Sequence, residues 1–438
     1  MLLRLLAILL AVVVVATGCG NDPTDQAGFG GTTNTSESAD NQSDTEQLGK
    51  GAASSTTQSI TSEFLANSNE LTIGVVLPES GTLSYLYPPL TTSVGLALQD
   101  IRAAGGKVRI IEGDSGTDPD VASETVNRLL GEGADVILGA AASGVSQSII
   151  QTLFETEVAQ CSGSNTSPNF STQANAEFFF RTVTTAASDA PIMANNMART
   201  GATNVAILAR ADDWGQSLAT LLQNHLAELG ATSQIISFSQ DTSNFEDIVL
   251  SVKKIGADTV TVLAFAEGIG LLRRLLEAGI PPSAIHGGPG LYDADLATKV
   301  NPSNPTALDG FTVYGASGGS NYNQRLTETL GGNIAFGGQY YDCVILLTLG
   351  ALAAGTSRGP DLAAVVPELT RNGQKCFDFA QCAALLAQGA DIDYDGASGP
   401  LELDDVGDTT VGRFAVAKIQ DGMLNVVRVE DVTSGNTE

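Results

Sequence analysis

The sequence predicts an α/β protein made of two halves, each with a parallel sheet, and three observations carry that reading. Short, nearly continuous apolar runs alternate with segments of helical period about every 25 residues, the pattern of βαβ units. The alternation runs once over about 71–185 and again over about 188–312. Polar, Ser- and Gly-rich loops follow the strands, at the carboxyl edge where open α/β sheets bind ligands.

The first unit sets the pattern. Leu71 to Leu77 is a strand buried on both faces and ended by Pro78. The loop Glu79-Ser80-Gly81-Thr82 leads to Thr91, Thr92 and Ser93 as helix caps, with Val94, Ala97, Leu98 and Ile101 on one face before Gly105-Gly106. Strands follow at Val108–Glu112, Ala134–Gly139, Val158–Gly163 and Phe178–Val183, with helices from Asp118-Pro119 and over Gln147–Glu155. The second half repeats the scheme. Its strands are Asn204–Ala209, Ser233–Phe238, Thr259–Phe265 and one near Ile285; its helices are Gly215–Leu229, Phe245–Ile255 and Ile269–Ala278, each closed by glycine.

After about 312 too little sheet-forming sequence remains for a third half. A strand Gly310–Ala316, helices at Gln339–Ala354, Asp361–Arg371 and Phe379–Gln388, and a hairpin turning at Asp421-Gly422 must return to complete the first two. A chain that crosses between lobes several times has hinges and a cleft.

The chain has 438 residues, 43% of them hydrophobic, enough for two ordinary cores. Its formal charge of −28 excludes a nucleic-acid partner, whose phosphates need a basic footprint. Residues 1–18 carry Arg4, an apolar run Leu5–Val15 and small residues, the layout of an export signal, and Ala16-Thr17-Gly18-Cys19 resembles the lipobox of bacterial lipoproteins. Cys19 is then the lipidated residue of a membrane anchor. Residues 19–68, poor in large apolar side chains, are expected to be a disordered tether.

Four cysteines remain: Cys161, Cys343, Cys376 and Cys382. In an exported chain they suggest two disulfides, and three pairings are open. The close pair Cys376 and Cys382 comes first, with Cys161 and Cys343 left by elimination. Zinc fails on spacing, since neither His225 nor His286 neighbours a Cys-x2-Cys pair.

Two motifs point elsewhere and are weighed against plainer readings. Gly315-Ala316-Ser317-Gly318-Gly319 fits G-x-S-x-G, but no His follows His286, so a hinge or turn is expected in place of a hydrolase elbow. Asp391, Asp393, Asp395 and Glu402 fit the spacing of a calcium loop. Ser398 and Pro400 stand where that loop wants other residues, so an acidic turn is the default and no metal is assigned. The loop after the first strand lacks G-x-G-x-x-G, and no cofactor is expected. The coherent signal is the set of polar loops holding Ser143, Ser164 and Thr166, opposite the aromatic Trp214 and Phe265. Hydroxyls and helix N-termini suit an anionic group.

GVVLPESGTL, ADVILGAAASGVS, NTSPNFS, FFFRTV, NVAILARADDWGQS, LLEAG, GGQYYDCVILL and DYDGASGPLELDD resemble, in order, the type I periplasmic binding proteins of the leucine/isoleucine/valine class. The resemblance spans about 70–430. It implies two Rossmann-like lobes joined by three hinge crossovers: lobe 1 from 69–185 with 317–395, lobe 2 from 186–316 with 396–430, and a tail at 431–438. It implies that Ser143, Ser164 and Thr166 hold a ligand carboxylate, with Ala141 beside them, and that Trp214 and Phe265 cover it. Tyr85 and Gly290 are further candidate lining. Where amino-acid binders of the class place an acid for the ammonium, this chain reads Gly287-Gly288-Pro289-Gly290. Either Asp293, Glu267 or Asp213 substitutes, or the ligand has no ammonium.

The resulting expectation is a monomeric, lipid-anchored extracytoplasmic receptor of an ABC importer, not an enzyme. It takes a small amino acid-like, carboxylate or amide ligand between two closing lobes and delivers it to permease subunits. A sensor passing occupancy to a signalling receptor is the alternative.

Overall fold

The computed structural model describes residues 49–433. The export signal, the lipobox and Cys19 lie outside those residues. The first described element is a helix, α1 (Gly49–Asn67), where composition predicted tether. Phe64 packs on the core and Leu65 is buried in it, and Lys107 Nζ donates to the carbonyls of Ala66 and Ser68 at 2.7 and 3.0 Å. Two adjacent apolar residues and one lysine far along the chain suffice to dock it.

The first lobe then builds as β1 (Leu71–Leu77), α2 (Tyr87–Ala103), β2 (Val108–Asp114), α3 (Pro119–Gly131), β3 (Val136–Gly139), α4 (Ser143–Glu155), β4 (Ala159–Ser162) and β5 (Phe179–Arg181). Helix α2 starts at Tyr87, a turn before the Thr91–Ser93 caps, because Pro88 and Pro89 sit in its first turn, where a missing N–H costs nothing. Thr91 and Ser93 instead bond back to the carbonyls of Tyr87 and Pro89. Asp118 caps α3 through the N–H groups of Asp120 and Val121.

The chain crosses to the second lobe as α5 (Ala186–Arg199), β6 (Asn204–Arg210), α6 (Asp213–Glu228), β7 (Thr232–Phe238), α7 (Glu246–Ile255), β8 (Thr259–Leu263), α8 (Gly268–Glu277), β9 (Ile285–Gly287), α9 (Leu296–Val300) and β10 (Thr312–Ala316). It returns to the first lobe as α10 (Ser320–Leu330), α11 (Gly337–Ala354), α12 (Gly359–Val365), β11 (Gln374–Cys376), α13 (Phe379–Ala387) and β12 (Ile392–Tyr394). A last crossing delivers the hairpin β13 (Val411–Gln420) and β14 (Met423–Thr433), whose turn uses positive φ at Asp421 and Gly422.

Two sheets result. The first has the order β2-β1-β3-β4-β5 and is parallel throughout. The second, β14-β13-β10-β9-β8-β6-β7, is parallel except for the late hairpin, with β13 antiparallel to β10. Helices α5 and α10 were not legible as separate elements. Asp361–Arg371 is broken after Val365 by Pro367.

Both disulfides are present, Cys161–Cys343 with a Cα–Cα distance of 5.7 Å and Cys376–Cys382 at 5.3 Å. The first ties β4 to α11. Of the calcium-loop acids, Asp393 and Asp395 share the Lys375 ammonium at 3.1 and 2.8 Å, and among the described residues no three potential ligands converge. Ser317 lies in the crossing after β10, its N–H on the Arg413 carbonyl. His286 is buried in the second lobe against Tyr314 Oη at 2.8 Å, and among the described residues Ser317 has no histidine partner.

Candidate ligand-binding cleft

The carboxyl ends of both sheets face each other across a cleft that encloses a cavity of about 20 Å³. The first lobe supplies Ala141, Ala142, Ser143, Ser164 and Thr166 to its lining, with Leu83, Tyr85 and Leu86 from the loop after β1. The second supplies Trp214, Phe265, Pro289 and Gly290. Phe336, just before α11, completes the wall.

The polar side is a built arrangement of oriented loops. The Ala140 carbonyl accepts from Ser162 Oγ at 2.9 Å and Asn165 Nδ2 at 3.1 Å, and the Ala141 carbonyl accepts from Asn165 Nδ2 at 3.0 Å and Ser164 Oγ at 2.9 Å. With those carbonyls held back, the chain turns into α4, whose N-terminus has no side-chain cap. An uncapped first turn offers its N–H groups and the positive end of the helix dipole to an anion. Ser143 Oγ accepts from Ser167 N at 3.4 Å, and among the described residues its proton has no acceptor. Among the described residues Thr166 Oγ1 is buried without a hydrogen-bond partner, a state that costs about 1–3 kcal/mol when nothing meets the group. Ser164 differs: its hydroxyl is committed to Ala141 and Tyr340, so it positions the loop.

The opposite side is aromatic. Trp214 and Phe265 pack with ring centroids 4.8 Å apart. The Arg210 guanidinium lies 3.8 Å from the Phe265 centroid, while its nitrogens bond Asp212 at 2.6 Å and Glu267 and Gln240 at 2.9 Å. Tyr85 Oη donates across the cleft to the Gly290 carbonyl at 2.6 Å, and burial pushes that phenol far up, keeping it a donor. A Cβ at Gly290 would stand 2.5 Å from the Ala264 carbonyl oxygen. Glycine is therefore required there, and an acid at that position is sterically excluded.

Of the nine candidate lining residues, Ser143, Ser164, Thr166, Trp214, Phe265, Tyr85, Ala141 and Gly290 come together. Asp293 does not. It pairs with Lys299 at 2.6 Å and faces a neighbouring cavity. Glu267 is held by Arg210, Asp213 Oδ1 accepts from Asn169, and neither lines the cleft. Leu83 falls within 80–85, the loop expected to line the cleft, whereas Leu86 and Phe336 were missed; Phe336 stands at positive φ before a glycine pair.

A family profile described as "Periplasmic binding protein" matches residues 70–423. The chain belongs to the periplasmic binding protein family. That membership implies an extracytoplasmic location. Among curated relatives of this binding protein, the Leu/Ile/Val-binding protein homolog 3 of Brucella melitensis is 26% identical over 233 residues, which is 52% of this chain and 63% of the relative, less than two thirds of its length. Among solved structures, the leucine binding protein LivK of Thermotoga maritima superposes with TM-score 0.68 at 17% identity, covering 82% of this chain and 98% of that one. A solute binding protein of an ABC transporter from R. palustris, in complex with benzoate, gives TM-score 0.68 at 18% identity, covering 84% and 98%. At such identities the superpositions establish the fold alone. These relatives are solute-binding proteins and not enzymes.

Proposed function

We propose that this is a lipid-anchored, monomeric solute-binding protein of an ABC importer, capturing a small carboxylate that carries no ammonium group. The observation behind the reading is the donor set of the cleft. Ser143, the unpartnered Thr166 and the uncapped α4 terminus converge on one side, and no carboxylate lines the other. A buried ammonium without a partner costs several kcal/mol; among the described residues Asp213 and Glu267 each have one oxygen bonded, to Asn169 and Arg210, and one without a partner, but neither residue lines the cavity.

An apolar, aromatic wall suits an aryl or alkyl body, and the benzoate complex of the R. palustris neighbour is a carboxylate without ammonium in the same fold. Contacts from the ligand to both lobes would favour closure only by their differential affinity for the closed state. The apolar run and lipobox before Cys19 support the anchor, and delivery to permease subunits follows from the importer reading.

A thermal-shift and calorimetric screen tests the ligand class. Aryl and alkyl carboxylates should raise Tm, by about 2.7 kcal/mol of stabilisation at one hundred times Kd. Stronger stabilisation by leucine or valine would refute the reading. Cys19→Ala should move the protein from the membrane to the soluble fraction.

A further inference from the structure

Beyond Tyr85 lies a second cavity, of about 140 Å³, against the second lobe. A cavity of about 150 Å³ holds a benzene ring, whereas about 10–15 Å³ is what one water needs. By that measure the cleft cavity, at about 20 Å³, has room for the head of a ligand and not for its body. Tyr85, Phe265 and Gly290 line both spaces, and the Tyr85–Gly290 hydrogen bond is the partition between them. One rotation of a phenol joins the two.

The walls of the second cavity are Ile269, Leu291 and Leu296. Its polar feature is the Asp293–Lys299 pair, with the carboxylate 6% exposed and the ammonium 5.6 Å from the Tyr85 centroid. An ammonium has three donors, and among the described residues Lys299 Nζ commits one, to Asp293. An apolar chamber with an ion pair on its wall reads a ring or chain that ends in a hydrogen-bonding group.

We propose that this chamber is a distal subsite for the same ligand, an elongated carboxylate. Its carboxylate lies between Ser143 and Thr166, its apolar ring beyond Tyr85, and a hydroxyl at the far end meets Lys299 and Asp293. The inference rests on the carboxylate reading and adds to it the length and the far-end chemistry of the ligand.

The test compares two probes by calorimetry on the whole protein: acetate, a carboxylate without a ring, and 3-(4-hydroxyphenyl)propanoate. Wild type should bind the longer probe at least tenfold more tightly. Leu296→Trp fills the chamber and should cost the longer probe at least tenfold while changing acetate less than twofold. Asp293→Asn with Lys299→Met removes the ion pair without stranding a buried charge, and should weaken the longer probe severalfold and leave acetate unchanged; it also serves if the tryptophan variant does not fold. Acetate binding with no preference for the longer probe, or variants that affect both equally, overturns the subsite and leaves the carboxylate reading intact. No binding of either probe overturns both.

Discussion

Arg181 Nε donates to Asp408 Oδ1 at 2.7 Å, with the arginine side chain fully buried. Arg181 ends β5, just before the first crossing, and Asp408 lies in the last. The same guanidinium bonds the carbonyls of Asn165 and Ser167 at 3.1 and 2.6 Å, the two neighbours of Thr166. Hinge and ligand loop therefore share one cation. Arg181→Met strands Asp408 and should cost about 3–5 kcal/mol in urea unfolding. Arg181→Lys keeps the charge but loses the fork geometry, and should retain more stability than affinity.

Ser143→Ala with Thr166→Ala should lower affinity for an aryl carboxylate at least a hundredfold. Each hydrogen bond to a charged group is worth about 1.5–3 kcal/mol, and neither hydroxyl donates to the protein itself. The thermal transition should move little. Unchanged calorimetric affinity would move the site elsewhere.

Trp214 is the chain's single tryptophan and lines the cleft. Ligand addition should shift its fluorescence, giving the same Kd as calorimetry. Trp214→Phe should abolish the optical signal while keeping binding within about tenfold, since most of the aromatic contact with Phe265 survives.

Burial holds His286 down to about 4, with Lys418 adding to the effect. The unfolded imidazole protonates near 6.5, so between about 6.5 and 4 the unfolded state binds a proton the folded state refuses. Stability is then fully present above 6.5 and is lost as pH falls towards 4, by about 2–3 kcal/mol from this group. His286→Gln, which can still bond Tyr314, should flatten that part of the Tm–pH curve relative to wild type.

The two disulfides should differ in weight. Cys161–Cys343 closes a separation of 182 residues and Cys376–Cys382 one of 6. Loop-closure entropy assigns them about 5 and about 2 kcal/mol. Paired Cys→Ala variants compared by urea unfolding check the order; a larger loss at Cys376–Cys382 would contradict it.

Much of the fold was legible because its signals are local. Apolar runs such as Val136–Gly139, glycine stops and the Asp421-Gly422 turn act between near neighbours in the chain. Helix α1 escaped because its docking depends on Lys107, about 40 residues away. Helix α2 was displaced because prolines outranked hydroxyl caps at its start.

The two α/β lobes, the late return of the chain to both, the polar loops at Ser143 and Thr166, and the want of an acid at Gly287–Gly290 are all written in the order of residues. Which polar groups stay free is set by the packing of the folded chain. It spends Asp293 on Lys299, one oxygen of Glu267 on Arg210 and Ser164 on Ala141, and among the described residues it leaves Thr166 unmatched in the cleft. The physical reason is that a residue's capacity to bond is written in its side chain, while its availability depends on partners that only the packed chain brings within reach.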